Sequence, residues 1–263
     1  MNRVNAKFRE LAKRGKKAFI PYVTAGDPSL KMTEELVLAL EEAGADMIEL
    51  GIPFSDPLSD GPVIQAASLR ALQNGTNIEK IFQLVARLRK RTQIPLLLMT
   101  SYNPVFHYGE FRFVAKSKEA SVDGFIIPDL PPHEAETLIA FAKKVDIVIP
   151  FFLSPTTTTE RMNDIIKDST GFIYYVSLTG VTGMRRELPN VLRQEVLRVK
   201  RMTDKPVCIG FGISTSQHVL SLAEIADGVI VGSAIVKEIE KNLTKKDLVK
   251  KVSGFVQGLT RVL

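Results

Sequence analysis

The stretch MIELGIPFSDPLSDGPVIQAASLRALQN, residues 47–74, decides how the rest of the chain is read. It opens with an apolar run, Met47–Leu50, of strand character. A loop of Gly, Pro, Ser and Asp follows. A helical pattern over Pro62–Asn74 closes the unit. One carboxylate, Glu49, sits within the apolar run near its exit, and a second, Asp60, sits just before the helix. An unpaired carboxylate is costly on a buried strand. At a strand's exit it suggests acid–base chemistry.

The same strand–loop–helix unit recurs on both sides. Strands are expected at Ala18–Val23, Met47–Leu50, Pro95–Thr100, Gly124–Ile127, Ile147–Phe152, Phe172–Val176, Val207–Gly210 and Gly228–Val231. Helical patterns lie between and after them, at Thr33–Ala43, Pro62–Asn74, Ile78–Arg91, Phe111–Ala120, His133–Lys144, Glu160–Asp168, Val191–Arg201, Thr215–Leu222 and Lys245–Val262. The apolar runs are nearly continuous rather than alternating, as in parallel strands covered on both faces. About eight such units imply an α/β fold, a (β/α)8 TIM barrel. A doubly wound sheet is the runner-up. The N-terminal segment reads as an extra amphipathic helix with Val4, Phe8 and Leu11 on one face. Ser214 with Gln217 matches a capping box.

The length of 263 residues suits one barrel domain spanning 1–263. A 45% hydrophobic content allows a large core, and no apolar stretch approaches the ~20 residues of a membrane span. The N-terminus lacks the apolar segment of a secretory signal. The lone Cys208 rules out an internal disulfide framework and fits a cytoplasmic protein. The net charge of +6 is scattered among acidic residues, so it reads as a solvated surface rather than a nucleic-acid face.

Three glycine-rich turns follow the last three strands: Gly180–Gly183, Gly210–Ser214 and Gly232-Ser233. The last two open into helical patterns, with Ala234–Glu240 as a short extra helix. Such turns either make tight connections or expose backbone N–H groups to a phosphate, and phosphate binding is common at this end of a barrel. The stretch GFGIS fails as a dinucleotide fingerprint because Thr215 stands where the third glycine belongs.

The remaining candidates are carboxylates. The three histidines, His107, His133 and His218, lack metal-ligand spacing, so no metal is expected. Lys17 and Lys205 precede their strands, the wrong end of a barrel for a Schiff base, and Cys208 reads as packing. Alternation places Glu49 on one face with Met47 and Gly51. Its plain alternative is a structural salt bridge. Asp60 is either a site residue or the N-cap of a helix with proline at its first position. Asp129 is either a turn former or a site residue, and Asp27 reads as a turn residue.

Seven segments carry a family resemblance: FIPYVTAGDP (Phe19–Pro28), ELGIPFSDPLSDGPVIQ (Glu49–Gln65), SYNPVFHYG (Ser101–Gly109), DGFIIPDLP (Asp123–Pro131), SLTGVTG (Ser177–Gly183), GFGIS (Gly210–Ser214) and GVIVGSAIV (Gly228–Val236). In order and spacing they resemble the tryptophan synthase alpha chain family. The resemblance implies a cofactor-free retro-aldol cleavage of indole-3-glycerol phosphate to indole and glyceraldehyde 3-phosphate. It implies that Glu49 and Asp60 are the acid–base pair, that Tyr174 hydrogen-bonds near Glu49, and that Thr182 lies in the loop after the sixth strand. Gly183, Gly212, Gly232 and Ser233 would meet the phosphate. Tyr22, Thr100, Tyr102, Ile126 and Phe211 would line the indole pocket. Tyr22 and Thr100 stand where the resemblance leads one to expect Phe and a larger aliphatic. Pro53, Asp56 and Pro57 would contact a beta chain carrying pyridoxal phosphate, in an alpha2-beta2 heterotetramer.

Three other readings stay open on the sequence: another phosphate-binding barrel enzyme, a barrel that only activates a partner, and a stand-alone indole producer. The Glu49–Asp60 spacing weighs against the first. Intact Glu49, Asp60 and Thr182 weigh against the second. Pro53, Asp56 and Pro57 weigh against the third.

Overall fold

The computed structural model describes residues 1–57, 59–176, 190–210 and 212–263. Along these residues run α1 (Arg3–Lys13), β1 (Ala18–Thr24), α2 (Leu30–Glu42), β2 (Ile48–Gly51), α3 (Pro62–Gln73), α4 (Ile78–Leu88), β3 (Leu96–Met99), α5 (Tyr102–Tyr108), α6 (Glu110–Ala120), β4 (Gly124–Ile126), α7 (Glu136–Lys144), β5 (Phe152–Leu153), α8 (Thr159–Asp168), β6 (Ile173–Val176), α9 (Asn190–Met202), β7 (Val207–Gly210), α10 (Ser216–Ala223), β8 (Gly228–Val231), α11 (Ser233–Glu240) and α12 (Leu248–Thr260). The strands are parallel in the order β4-β3-β2-β1-β8-β7-β6-β5. The two end strands meet through a parallel bridge between Gly124 and Val148, which closes the (β/α)8 barrel. There the Phe125 N–H donates to the Val148 carbonyl at 2.9 Å, and the Val148 N–H donates to the Asp123 carbonyl at 3.0 Å.

Side-chain alternation sorts each strand into two layers. Ala18, Ile20, Met47, Leu97, Ile126, Phe172, Tyr174, Cys208 and Ile230 pack together inside the barrel. Their neighbours Phe19, Ile48, Leu50, Leu96, Leu98, Phe125, Ile173, Tyr175, Val207, Ile209 and Val229 pack outward beneath the helices. Because both faces are covered, the strands read as unbroken apolar runs. Glu49 follows inward-facing Met47 by two positions, so its side chain shares the interior.

Helix α1 floors the barrel. Its predicted face, Val4, Phe8 and Leu11, is buried in the interior cluster, and the Phe8 ring lies 5.7 Å from that of Phe172. Asn2 caps this helix by accepting the Val4 N–H at 2.8 Å. Its Nδ2 donates to the Asp123 carbonyl at 2.8 Å and the Asp146 carbonyl at 2.7 Å, both at strand entrances. Asp123, buried beside them, pairs with Arg3 at 3.0 Å and with Arg89, and accepts the Leu96 N–H at 2.9 Å.

Several sequence expectations change. Helix α5 falls in a segment for which no helix was expected. Its Pro104 is tolerated because the first turn's N–H groups have no partner within the helix. The fifth strand pairs as a ladder only at Phe152–Leu153, while Val148 makes the closing bridge. The N-cap before α10 is Thr215, which accepts the His218 N–H at 3.2 Å, rather than Ser214. Asp27 is more than a turn residue: it is 1% exposed and accepts two hydrogen bonds from the Arg70 guanidinium, at 2.8 and 2.9 Å. Lys205 does lie at the wrong end for a Schiff base. Its Nζ donates to the Ser169 carbonyl at 2.7 Å and to that of Ile166, beside the end of α8.

Asn2→Ala removes a cap and takes one donor each from the Asp123 and Asp146 carbonyls. Its expected cost is about 2–3 kcal/mol. Chemical denaturation checks this, and a loss below ~0.5 kcal/mol means that the floor is held by Val4, Phe8 and Leu11 alone.

Candidate active site

Glu49 lies on β2, its Cα in register with Tyr22 of β1 and Leu97 of β3. It is fully buried, and neither carboxyl oxygen has a hydrogen-bond partner among the described residues. No cation answers it there, so the salt-bridge reading falls. Burial pushes its pKa up to about 8, which keeps the carboxyl protonated at neutral pH.

Asp60 stands at the mouth above this floor. The helix-cap reading does not hold, because Gly61 occupies the N-cap of α3 and no side chain bonds there. The Asp60 carbonyl instead accepts the Gln65 side-chain amide at 2.8 Å. Burial, and then the charge of Asp129, raise the Asp60 pKa to about 6. Asp129 is itself anchored by accepting the Tyr102 N–H at 2.8 Å. Two carboxyls with such different surroundings are set apart in protonation: at neutral pH the deeper is neutral and the outer mostly charged.

Tyr22 joins the two. It pairs in register with Glu49 and lines the mouth cleft with Asp60, Met99, Thr100, Ser101 and Pro128. Its hydroxyl lies 3.2 Å from Thr24 Oγ1, over Gly51, where a Cβ would come within 2.0 Å of it. Burial, then the charges of Asp60 and Glu49, push its pKa up. Tyr174 is buried on β6 with its ring 4.5 Å from that of Phe152 and its hydroxyl over Gly210. Among the described residues no hydrogen bond joins it to Glu49. Gly210 has no side chain, and the tyrosine fills that space instead.

The other expected residues divide. Ile126 is buried within the barrel, and Thr100 lines the cleft. Tyr102 turns outward, its ring packed with Phe106 and its hydroxyl donating to Glu110 at 3.2 Å. Gly232 precedes α11 and backs onto Tyr22, with 3.6 Å between an added Cβ and the tyrosine. Ser233 opens α11, whose first turn has no side-chain cap. Gly212 adopts φ +71° in the turn after β7. Pro53 is buried, Pro57 half-buried and Asp56 exposed, its carboxylate accepting from the Ser55 hydroxyl at 2.8 Å. Thr182, Gly183 and Phe211 lie outside the described residues. Met99 and Ser101 line the cleft without having been expected there; their place at the exit of β3, level with Thr100, is the signal that finds them.

A wider groove, of about 770 Å³, runs outside the barrel between α7 and α8. Its acidic and basic side chains are solvated, and none matches Glu49 in burial. Among the described residues no cluster of His, Cys, Asp and Glu suits a metal ion. No described helix is long and apolar enough to cross a membrane.

A parallel barrel with a neutral buried carboxyl below an ionised one at the strands' exit is built as an acid–base enzyme of the (β/α)8 class. The family model described as tryptophan synthase alpha chain matches residues 8–262. The tryptophan synthase alpha chain of Caldanaerobacter subterraneus subsp. tengcongensis is 47% identical over 263 residues, covering 100% of both chains. That of Geobacter sp. is 46% identical over 259 residues, covering 98% of this chain and 97% of the relative. The crystal structure of tryptophan synthase subunit alpha from Legionella pneumophila str. Paris superposes with a TM-score of 0.93 at 38% identity, covering 100% of this chain and 98% of the other. A chain of the tryptophan synthase a2b2 complex from Pyrococcus furiosus does so with 0.86 at 41%, covering 92% and 97%. The chain belongs to the tryptophan synthase alpha chain family, whose members are lyases that cleave indole-3-glycerol phosphate.

The Glu49 carboxyl links stability to pH. Its folded pKa of about 8 lies above the ordinary value of 4.5. The stability it contributes is therefore full below about pH 4.5 and is lost as pH rises through about 8. The whole change amounts to up to ~5 kcal/mol. Glu49→Gln is expected to abolish this dependence and to be more stable than the parent at pH ~9. Denaturation curves at both ends of the range check it. Parallel pH dependence in parent and variant would show that Glu49 ionises freely.

Proposed function

We propose that Glu49 and Asp60 carry out the cleavage of indole-3-glycerol phosphate in this chain. The observation that carries the reading is the buried Glu49 carboxyl, which has no partner among the described residues and is neutral at working pH. Glu49 gives its proton to the ring carbon bearing the glycerol chain. Positive charge appears at the ring nitrogen, where ionised Asp60 stabilises it and takes the N–H proton. Glu49, now a carboxylate, removes the proton from the chain hydroxyl. The carbon–carbon bond breaks, its electron pair returns to the ring, and glyceraldehyde 3-phosphate and indole leave. Asp60 returns its proton to the nitrogen, and Glu49 ends protonated as it began. One group serves as acid and then base because burial holds its pKa near working pH.

Tyr174 shapes the pocket around Glu49, and Thr182 acts from the segment that follows β6 in sequence. The phosphate meets the uncapped start of α11 at Gly232 and Ser233, with Gly212 and Gly183 completing the grip. Backbone N–H groups and the helix dipole there favour an anion. Tyr22, Thr100, Ile126 and Phe211 surround the ring, with Tyr102 supporting the wall from outside. The chain brings no cofactor of its own. It delivers indole to a beta chain holding pyridoxal phosphate, through a surface including Pro53, Asp56 and Pro57, in an alpha2-beta2 assembly in the cytoplasm. The Pyrococcus furiosus a2b2 complex supports that pairing.

The direct test is indole release from indole-3-glycerol phosphate, with and without a beta chain. The rate is expected to be bell-shaped in pH, falling below about 6 as Asp60 protonates and above about 8 as Glu49 ionises. Glu49→Gln should lose more than ~10³-fold, about 4 kcal/mol in the barrier, while still binding glycerol 3-phosphate. Asp60→Asn should be severe and lose the acidic limb. Near-normal turnover in either variant removes that residue from the mechanism.

Gly232→Leu tests the anion grip separately. Space toward Tyr22 admits a Cβ at 3.6 Å, so the fold should persist. The side chain would stand where the phosphate binds, and affinity for glycerol 3-phosphate should fall at least ~tenfold by calorimetry. Unchanged affinity would assign Gly232 to the turn alone.

A further inference from the structure

The exit of β3 carries two hydroxyls that the proposed chemistry does not use. Thr100 is 5% exposed, and its Oγ1 has no hydrogen-bond partner among the described residues. Its backbone is satisfied, with the N–H donating to the Ile126 carbonyl at 3.0 Å. Ser101 holds the N-cap of α5, where a serine hydroxyl ordinarily bonds the first turn, yet it makes no such bond. The Tyr102 N–H goes to Asp129 instead. Both side chains line the cleft that holds Asp60, beside the apolar surface of Met99 and Tyr22.

A buried hydroxyl without a partner makes a fold less stable than an alkyl group of the same shape. Valine has nearly the shape of threonine, so packing does not account for the hydroxyl. A bound molecule can complete its hydrogen bonding, and a threonine hydroxyl both donates and accepts.

We propose that Thr100, with Ser101 beside it, is a specificity-determining residue whose hydroxyl bonds a polar substituent on the six-membered ring of the substrate's indole, so that this chain cleaves ring-hydroxylated indole-3-glycerol phosphates as well as the plain one. The inference rests on the reading of the cleft given above. The bonds made and broken are those of the plain substrate, because the substituent lies away from the breaking bond. With the plain ring, Thr100 gains no partner from the substituted positions. With a hydroxylated ring, it gains a partner inside a water-poor wall.

The test compares kcat/KM for substrates bearing a hydroxyl or a methyl group at the same carbon, taken around the six-membered ring. The methyl series controls for size. At one ring position or more, the hydroxyl-to-methyl ratio in the parent should exceed that in Thr100→Val by about tenfold, the scale of one buried hydrogen bond. Thr100→Ser should keep the parent's ratio. Thr100→Val should also melt at or above the parent temperature, since it removes an unpaired polar group. Equal ratios in parent and Thr100→Val at every position overturn the inference. A lower melting temperature with unchanged ratios assigns the hydroxyl to the fold instead. If the parent cleaves the plain substrate but shows flat ratios, only this inference fails. If it cleaves no substrate, both this inference and the proposed function fall.

Discussion

Everything at the active end of this barrel depends on one constraint: a carboxyl group is held on the inner face of a parallel strand with no described residue to neutralise it. The pleat of β2 turns Met47 and Glu49 inward and Ile48 and Leu50 outward, so Glu49 cannot reach the surface without unpairing its strand. The group is buried and no described residue supplies a cation, and it responds by keeping its proton. A stable barrel would accept an aliphatic side chain there more readily. The cost of Glu49 makes sense only if its proton is used.

The surroundings are arranged to leave that group alone. Tyr22, its partner in register, bonds Thr24 rather than the carboxyl. Tyr174 presses on Gly210. The charged residues of the interior's rim are matched with one another: Asp123 with Arg3 and Arg89, Asp27 with Arg70, and Asp227 with Lys17 and Lys200. Asp60 is the intermediate case. It lies near enough to solvent to ionise, and near enough to Asp129 to hold its proton more tightly than a surface aspartate does. The Arg70 side chain also bridges Asp27 to Glu240, tying the helix that follows Asp60 to the helix that opens at Gly232.

The repeat, the parallel sheet, the face that Glu49 shares with Met47 and the buried face of α1 were legible in the sequence, because each is a local period. Features that depend on partners far along the chain were not. Asp27 looks like a turn former until Arg70, 43 residues on, is brought to it. Asp60-Gly-Pro spells a helix start well enough that only the structure shows Gly61 taking the cap. Tyr102 carries the aromatic ring expected in a pocket, yet an unforeseen helical turn swings it toward Glu110 and leaves Met99, Thr100 and Ser101 facing the cleft. The fifth strand misled for a simpler reason: apolar composition marks burial across Ile147–Phe152, whereas ladder pairing takes only Phe152 of it and continues to Leu153.

The floor formed by α1 has a consequence for assembly in time. Asn2 bonds to carbonyls that lie 121 and 144 residues further along. This helix, made before the strands it docks on, is therefore among the last to be fixed, since its docking surface does not exist until residues 121 and 144 positions further along have been made. Until then Val4, Phe8 and Leu11 are an apolar stripe with no home. A short helix whose remaining positions are largely charged can wait in that state without pairing with its neighbours' stripes. The many lysines and arginines of the first 17 residues thus serve the nascent chain as much as the finished barrel.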